Sequence, residues 1–241
     1  MVDKTTPDMH RAVAQIGDGA AVMIGGFGEA GSPIELIHAL IDHGARELTV
    51  ISNNAGNGHV GLAALIEAGQ VRKMICSFPK SSNSLVFAEL YHQGRIELEL
   101  VPQGTLAARI QAGGAGIPAF YTPTAAGTIL AQGKEERLFD GRPSVLELAL
   151  TADFALISAH RADTYGNLTY RYTSRNFSPL MCMAARHTIV QARKIVAPGG
   201  IDPEHVITPG IFVQEVVEVA APASESELVA ANVRYEGKHK S

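Results

Sequence analysis

The sequence predicts an α/β protein built on an open, mostly parallel sheet with helices on both faces. Three observations lead there. Short unbroken apolar runs, such as Ala20 to Ile24 and Leu48 to Ile51, recur along the first part of the chain, and runs of that kind suit strands buried on both faces. Between them lie stretches with apolar residues at helical spacing, closed by glycine. Strand and helix therefore alternate, which requires crossovers and hence parallel pairing.

Each element has a local reason. Thr6-Pro7 reads as an N-cap followed by proline at the first helical position, and Ala12, Val13 and Ile16 share one face up to Gly17. Asp18-Gly19 turns the chain into the first strand, Ala20 to Ile24, which ends at Gly25. Ser32-Pro33-Ile34-Glu35 has the spacing of a capping box, and Leu36, Ile37, Leu40 and Ile41 continue a helix until Gly44. The pattern repeats with strands at Leu48 to Ile51, Met74 to Phe78 and Ile96 to Val101, and helices at Leu62 to Ala68 and Ser84 to His92. After Thr105 to Ala112, the glycine run Gly113 to Gly116 and the segment Pro118 to Thr128 predict a long ordered loop. Beyond it, Asp140-Gly141 and Gly166-Asn167 between short apolar runs signal hairpins, so a smaller mixed β extension is expected from about residue 113. Residues 1–219 read as one domain and 220–241 as a loosely held tail, rich in Ala, Ser and Glu.

Composition narrows the function classes. The 241 residues are 46% hydrophobic and 18% charged, as in an ordinary globular protein, and a net charge of −4 offers no electrostatic footprint for nucleic acid. No run is long and apolar enough for a membrane span, and the N-terminus lacks a signal-peptide pattern. Cys76 and Cys182 stand far apart inside apolar stretches and read as buried thiols of a reducing compartment, so a cytoplasmic location is expected. The nine histidines show no metal-ligand spacing, so no metal is expected.

The sharpest local signal is the turn Gly25-Gly26-Phe27-Gly28-Glu29-Ala30-Gly31, placed between a buried strand and a helix. Unshielded amides in such a turn, with the helix N-terminus behind them, can hold a phosphate. Gly26, Gly28 and Gly31 also fit the dinucleotide fingerprint, but the second strand ends in Ser52-Asn53-Asn54 and lacks the acidic residue that would hold a ribose. A glycine turn needed only for close packing is the plain alternative. Asn53 and Asn54 follow the second strand and Gln103 a later one, where carboxamides can either stabilise an oxyanion or bond their own turns. Arg171 and Arg175, near Asn176, form a cationic loop that is either an anion site or simply solvated.

Set in its surroundings, Asp18-Gly19-x-x-Val22-Met23-Ile24-Gly25-Gly26-Phe27-x-x-x-Gly31-x-Pro33 resembles the signature of the A subunits of class I CoA-transferases, the 3-oxoacid group. The likeness continues through Ser52 to Gly56, Val101-Pro102-Gln103-Gly104-Thr105, Gly113 to Gly116, Gly166-Asn167-Leu168 and Ser174-Arg175-Asn176-Phe177, covering roughly residues 8–219. Cys76-Ser77-Phe78-Pro79-Lys80 and the stretch Asp202 to Val213 look most like the members that use succinyl-CoA and 3-oxoadipate in aromatic-compound degradation.

The resemblance implies a CoA-transferase-type sheet and covalent transfer of CoA through an enzyme glutamate. In the family that glutamate belongs to a Ser-Glu-Asn-Gly motif of the B subunit, and the tetrapeptide does not occur here. No nucleophile is therefore expected in this chain, which would act in a hetero-oligomer, A2B2 or similar, with CoA thioester as substrate and no permanently bound cofactor. By the same resemblance Gly25, Gly26, Phe27, Gly28, Glu29, Ala30 and Gly31 are the CoA-binding segment, and Asn53, Asn54 and Gln103 face the cleft shared with the partner. Lys80 stands where the wider group tends to have glycine; with Ser81 and Ser82 it is a candidate for reading the distal carboxylate of a dicarboxylic acid, or else a solvated loop lysine. Acetoacetate or another short acid is the alternative acceptor. A dinucleotide oxidoreductase or a ligand sensor are the distant alternatives.

Overall fold

A computed structural model describes residues 2–80 and 84–238. The first half alternates as expected: α1 (Met9–Val13), β1 (Ala21–Ile24), α2 (Ile34–His43), β2 (Leu48–Ile51), α3 (Gly61–Glu67), β3 (Val71–Cys76), α4 (Leu85–His92), β4 (Glu97–Leu100) and α5 (Gln103–Gly114). There follow β5 (Ala119–Thr122), β6 (Glu136–Phe139), β7 (Arg142–Leu148), β8 (Ala152–Asp163), β9 (Leu168–Thr169), α6 (Ser178–Ala184), β10 (Ala185–Val196), β11 (Glu215–Glu218) and α7 (Glu225–Ala230).

The main sheet runs β11-β10-β8-β1-β2-β3-β4, with every one of these neighbours parallel, and β9 folds back antiparallel on β8. Its strands alternate side chains between two cores. On one face Val22, Ile24, Val50, Met74 and Leu156 pack under α1 to α4. On the other, Met23, Ile51, Ile75, Ala155 and Val190 pack under α5 and α6. A separate antiparallel sheet, β5-β7-β6, carries the Asp140-Gly141 hairpin. Arg109 of α5 joins the two sheets, bonding Glu99 at 2.8 Å and the main-chain oxygen of Leu148 at 2.8 Å.

Four sequence expectations are corrected. Asp8, not Thr6, caps α1, accepting from the amides of His10 and Arg11. The stretch 113–128 is not all loop, since it continues α5 to Gly114 and then forms β5. The second half is less mixed than expected: β8, β10 and β11 extend the parallel sheet, and only β9 and the small sheet are antiparallel. Finally, Ser32 and Glu35 form no capping box; Pro33 occupies the N-cap without a side-chain bond. A buried glutamine from β10 takes over that task. Gln191 Oε1 accepts from the Leu36 amide at 3.1 Å, and its Nε2 donates to Glu35 at 2.6 Å.

The segment expected to be a loose tail makes specific contacts. The ring of Tyr235 stacks on His38 of α2 at 3.7 Å and 8°, and its hydroxyl donates to Asp42 at 3.0 Å. Arg234 pairs with Glu67 of α3 at 3.0 Å. His38 in turn accepts the amide of Gly61 at 3.0 Å through Nε2, which needs a neutral ring.

Burial lowers the His38 imidazole from 6.5 to about 4, with Asp42 pulling weakly the other way. An unfolded chain protonates this ring on the way down from 6.5 while the folded one stays neutral to about 4, so its contribution is intact above 6.5 and stability drains away across that interval. Chemical denaturation across the interval is expected to show a flatter pH dependence for His38→Gln than for the unmodified chain. An equally steep loss in both would contradict this reading.

Candidate active site

Parallel pairing brings the carboxyl ends of β1, β2, β3 and β4 to one edge of the sheet, and open parallel sheets bind ligands outside that edge. β1 has β2 on one side and β8 on the other, so the strand order reverses there and the glycine turn stands at the switch point. The segments leaving the edge are Gly25 to Gly31, Ser52 to Gly58, Ser77 to Lys80, and Val101 to Gln103.

Asn53 is the best-organised side chain of the edge and is only 4% exposed. Its Oδ1 accepts from Gln103 Nε2 at 2.9 Å and lies 2.7 Å from the Ser77 hydroxyl, while its main-chain oxygen accepts the amides of Ser77 and Phe78 at 3.2 and 3.0 Å. With the oxygen end held from two sides, the amide nitrogen Nδ2, which has no acceptor among the described residues, is the end presented. Of the three predicted carboxamides, the structure thus joins two. Gln103, the first residue of α5, orients Asn53. Asn54 does something else: its Oδ1 accepts the Gly56 amide at 2.9 Å and shapes the turn that follows.

The glycine turn is built by close approach. Gly31 has φ +81°, and a Cβ there would lie 2.6 Å from the Ser174 main-chain oxygen. Asn176 ties this neighbouring loop to the turn, accepting from the Gly26 amide at 3.3 Å and donating to the Ala30 oxygen at 2.8 Å. The amides of Gly28, Glu29 and Gly31 find no acceptor among the described residues, so the turn retains donors for an anion. The N-terminus of α2 is less available than the sequence suggested, because Gln191 already takes the Leu36 amide and the acidic Glu35 stands in the first turn. Burial works to raise the Glu29 carboxyl, but hydrogen bonds from Ser224 and Ser226 outweigh it and hold the group below the ordinary carboxylate range. That charge repels a phosphate, and the exposed Arg171 and Arg175 of the adjoining loop are what can offset it.

Phe27 is half exposed beside the turn. Lys80 follows β3 with its side chain in solvent; Ser81 and Ser82 lie outside the described residues. Cys76 is buried and its thiol is pushed up to about 12 by burial, which makes it inert as a nucleophile. Sequence reasoning named Ser77 and Asn176 only as members of motifs, with no role of their own, and passed over Gln191. Asn176 sits within the Ser174 to Phe177 motif, but nothing along the chain signals that a β10 glutamine reaches α2.

Comparison with known proteins follows the same lines. The family model "Coenzyme A transferase" matches residues 6–219. The chain is 60% identical to the A subunit of 3-oxoadipate CoA-transferase from Pseudomonas putida over 94% of its own length and 98% of that protein. It is 52% identical to the A subunit of succinyl-CoA:3-ketoacid coenzyme A transferase from Xanthomonas campestris, over 93% of this chain and 92% of that one. Among solved structures, an acyl-CoA transferase from Escherichia coli O157:H7 superposes with a TM-score of 0.80 at 23% identity over 91% of this chain, which spans about half (48%) of that longer polypeptide. The last likeness speaks for the fold.

The turn geometry makes a stability prediction. A side-chain carbon placed on Gly28 (φ +59°) would meet nothing within 4 Å, unlike one on Gly31. Gly28→Ala is expected to cost about 1–2 kcal/mol for the left-handed backbone alone, whereas Gly31→Ala, which adds the collision with Ser174, costs about 3 kcal/mol or more. Equal losses for the two in urea denaturation would refute the close approach.

Proposed function

The chain belongs to the coenzyme A transferase family, and from that premise we propose that it is the A subunit of an enzyme that moves CoA from succinyl-CoA to a 3-oxoacid, with 3-oxoadipate as the acceptor. The 60% identity to the Pseudomonas putida 3-oxoadipate enzyme over nearly its whole length supports that acceptor. The structural observation that carries the chemistry is the Asn53 carboxamide at the strand edge, its oxygen held by Ser77 and Gln103 and its donor end without an acceptor among the described residues. Similarity to a 3-ketoacid transferase favours acetoacetate as the second reading.

In this reading the B subunit brings a glutamate carboxylate to the edge. It attacks the thioester carbonyl of succinyl-CoA, the carbonyl oxygen becomes an anion, and the thiolate of CoA leaves as a mixed anhydride forms. The thiolate then attacks the glutamyl carbonyl, releasing succinate and leaving CoA on the enzyme for the acceptor acid to collect by the reverse sequence. Asn53 Nδ2 donates to the developing oxyanion, and Gln103 with Ser77 keeps that donor from turning, so little reorganisation is needed when charge appears. The glycine turn supplies amides to CoA. Lys80 pairs with the second carboxylate of the acceptor, which acetoacetate lacks. The two kinds of polypeptide assemble as A2B2 or similar.

Assay of the two co-purified polypeptides with succinyl-CoA is the direct test. The complex is expected to transfer CoA to 3-oxoadipate and the isolated chain to be inactive; full-rate transfer by the chain alone would end the proposal. In the complex, Asn53→Ala is expected to lower kcat by roughly 10²- to 10³-fold, and Gln103→Ala by about tenfold through loss of orientation. Lys80→Gly is expected to erode the preference for 3-oxoadipate over acetoacetate, and an unchanged ratio of kcat/KM would remove Lys80 from the account.

A further inference from the structure

The segment after β11 reaches back across two of the strand-end loops, and it does so with side chains whose placement is unusual for a surface tail. At its start the Ala223 amide donates to Glu35 at 2.6 Å. Ser224 caps α7, its Oγ lying 3.3 Å from the Glu227 amide, and its hydroxyl reaches Glu29 in the glycine turn at 2.6 Å. Glu225, the next residue, is only 4% exposed. Its carboxylate accepts from Asn57 Nδ2 at 2.9 Å, and among the described residues it has no cationic partner at ion-pair distance. One turn on, Val229 packs where a side chain on Gly58 (φ +57°) would collide at 2.8 Å. Beyond the helix, the Tyr235 amide donates to the His59 main-chain oxygen at 2.9 Å.

These contacts fall on the glycine turn that follows β1 and on the Asn57-Gly58-His59 stretch that follows β2, and they join the two. A buried carboxylate costs stability unless its hydrogen bonds are well made. Burial does raise the Glu225 carboxyl above the ordinary range, with Glu29 adding to the rise and the side chain and backbone of Asn57 opposing it. Retaining such a group where an apolar residue would pack more cheaply suits a task that needs a directed acceptor. The same loop begins at Asn53, so its register fixes where the carboxamide stands.

We propose that Glu225 is a positioning residue: through Asn57 it holds the loop after β2 at a set distance from the glycine turn, with Ser224 fixing the other side. This rests on the transferase reading, and it adds a role for a helix that lies beyond the 6–219 family match. The role is geometric, since neither side chain exchanges atoms with a substrate.

Glu225→Ala and Glu225→Gln in the complex with the partner polypeptide provide the test, with hydrogen exchange of the purified chain as a readout independent of activity. Glutamine keeps an acceptor oxygen of the same reach. Glu225→Ala is expected to lower kcat about tenfold and to speed exchange in residues 54–61, while Glu225→Gln restores both to within about twofold of the unmodified protein. Wild-type kcat and exchange in Glu225→Ala would overturn the proposal, and so would a glutamine variant as impaired as the alanine one. Should Glu225→Ala fail to fold, Ser224→Ala decides: it is expected to raise the KM for succinyl-CoA about threefold with kcat held, and an unchanged KM counts against the strap. Absence of transfer by the unmodified complex would strike at the proposed function instead, leaving the exchange result to judge Glu225.

Discussion

Parallel pairing of β1 to β4 is the constraint on which the site depends. Because each strand enters the sheet in the same direction, four successive strand ends must open on a single edge, and residues distant in sequence meet there without any long loop to carry them. Asn53, Ser77 and Gln103 come from three such ends. A register slip of one residue would turn Ile51 and Ile75 to the wrong face and carry Asn53 away from its two partners. The apolar alternation that builds the two cores is thus also what aims the carboxamide.

The edge is held from behind as well. Gln191 lies in the middle of β10, yet it caps the start of α2 and so sets where the glycine turn must end. Asn176 fastens the same turn from the side. In both cases a side-chain amide replaces local capping, and each uses both its donor and its acceptor. This arrangement leaves the amides of Gly28, Glu29 and Gly31 as donors of the turn with no acceptor among the described residues, while the start of the helix is already engaged by Gln191.

Much of this was legible along the chain. The elements of the first half emerge from apolar runs and glycine stops, because those strands are buried on both faces and their helices are amphipathic. Asn53 and Gln103 stand out because carboxamides at strand ends are few. What escaped is nonlocal. The Ser32 to Glu35 spacing suggested a capping box, but Glu35 found partners in Gln191 and Ala223 that no local pattern foretells. β10 and β11 went unassigned because charged residues such as Arg193 and Lys194 interrupt their apolar runs. The segment after residue 220 looked featureless because its anchors, Glu225 and Tyr235, gain meaning only from Asn57 and His38.

Arg109 carries one more implication. It lies on α5 six residues beyond Gln103, about 9 Å along the axis, and grips Glu99 of the large sheet and Leu148 of the small one. A helix of that length behaves as a stiff lever. One helix therefore carries both the anchor of the small sheet and the Gln103 bond to Asn53, so the seating of that sheet and the placing of the carboxamide share a single rigid element.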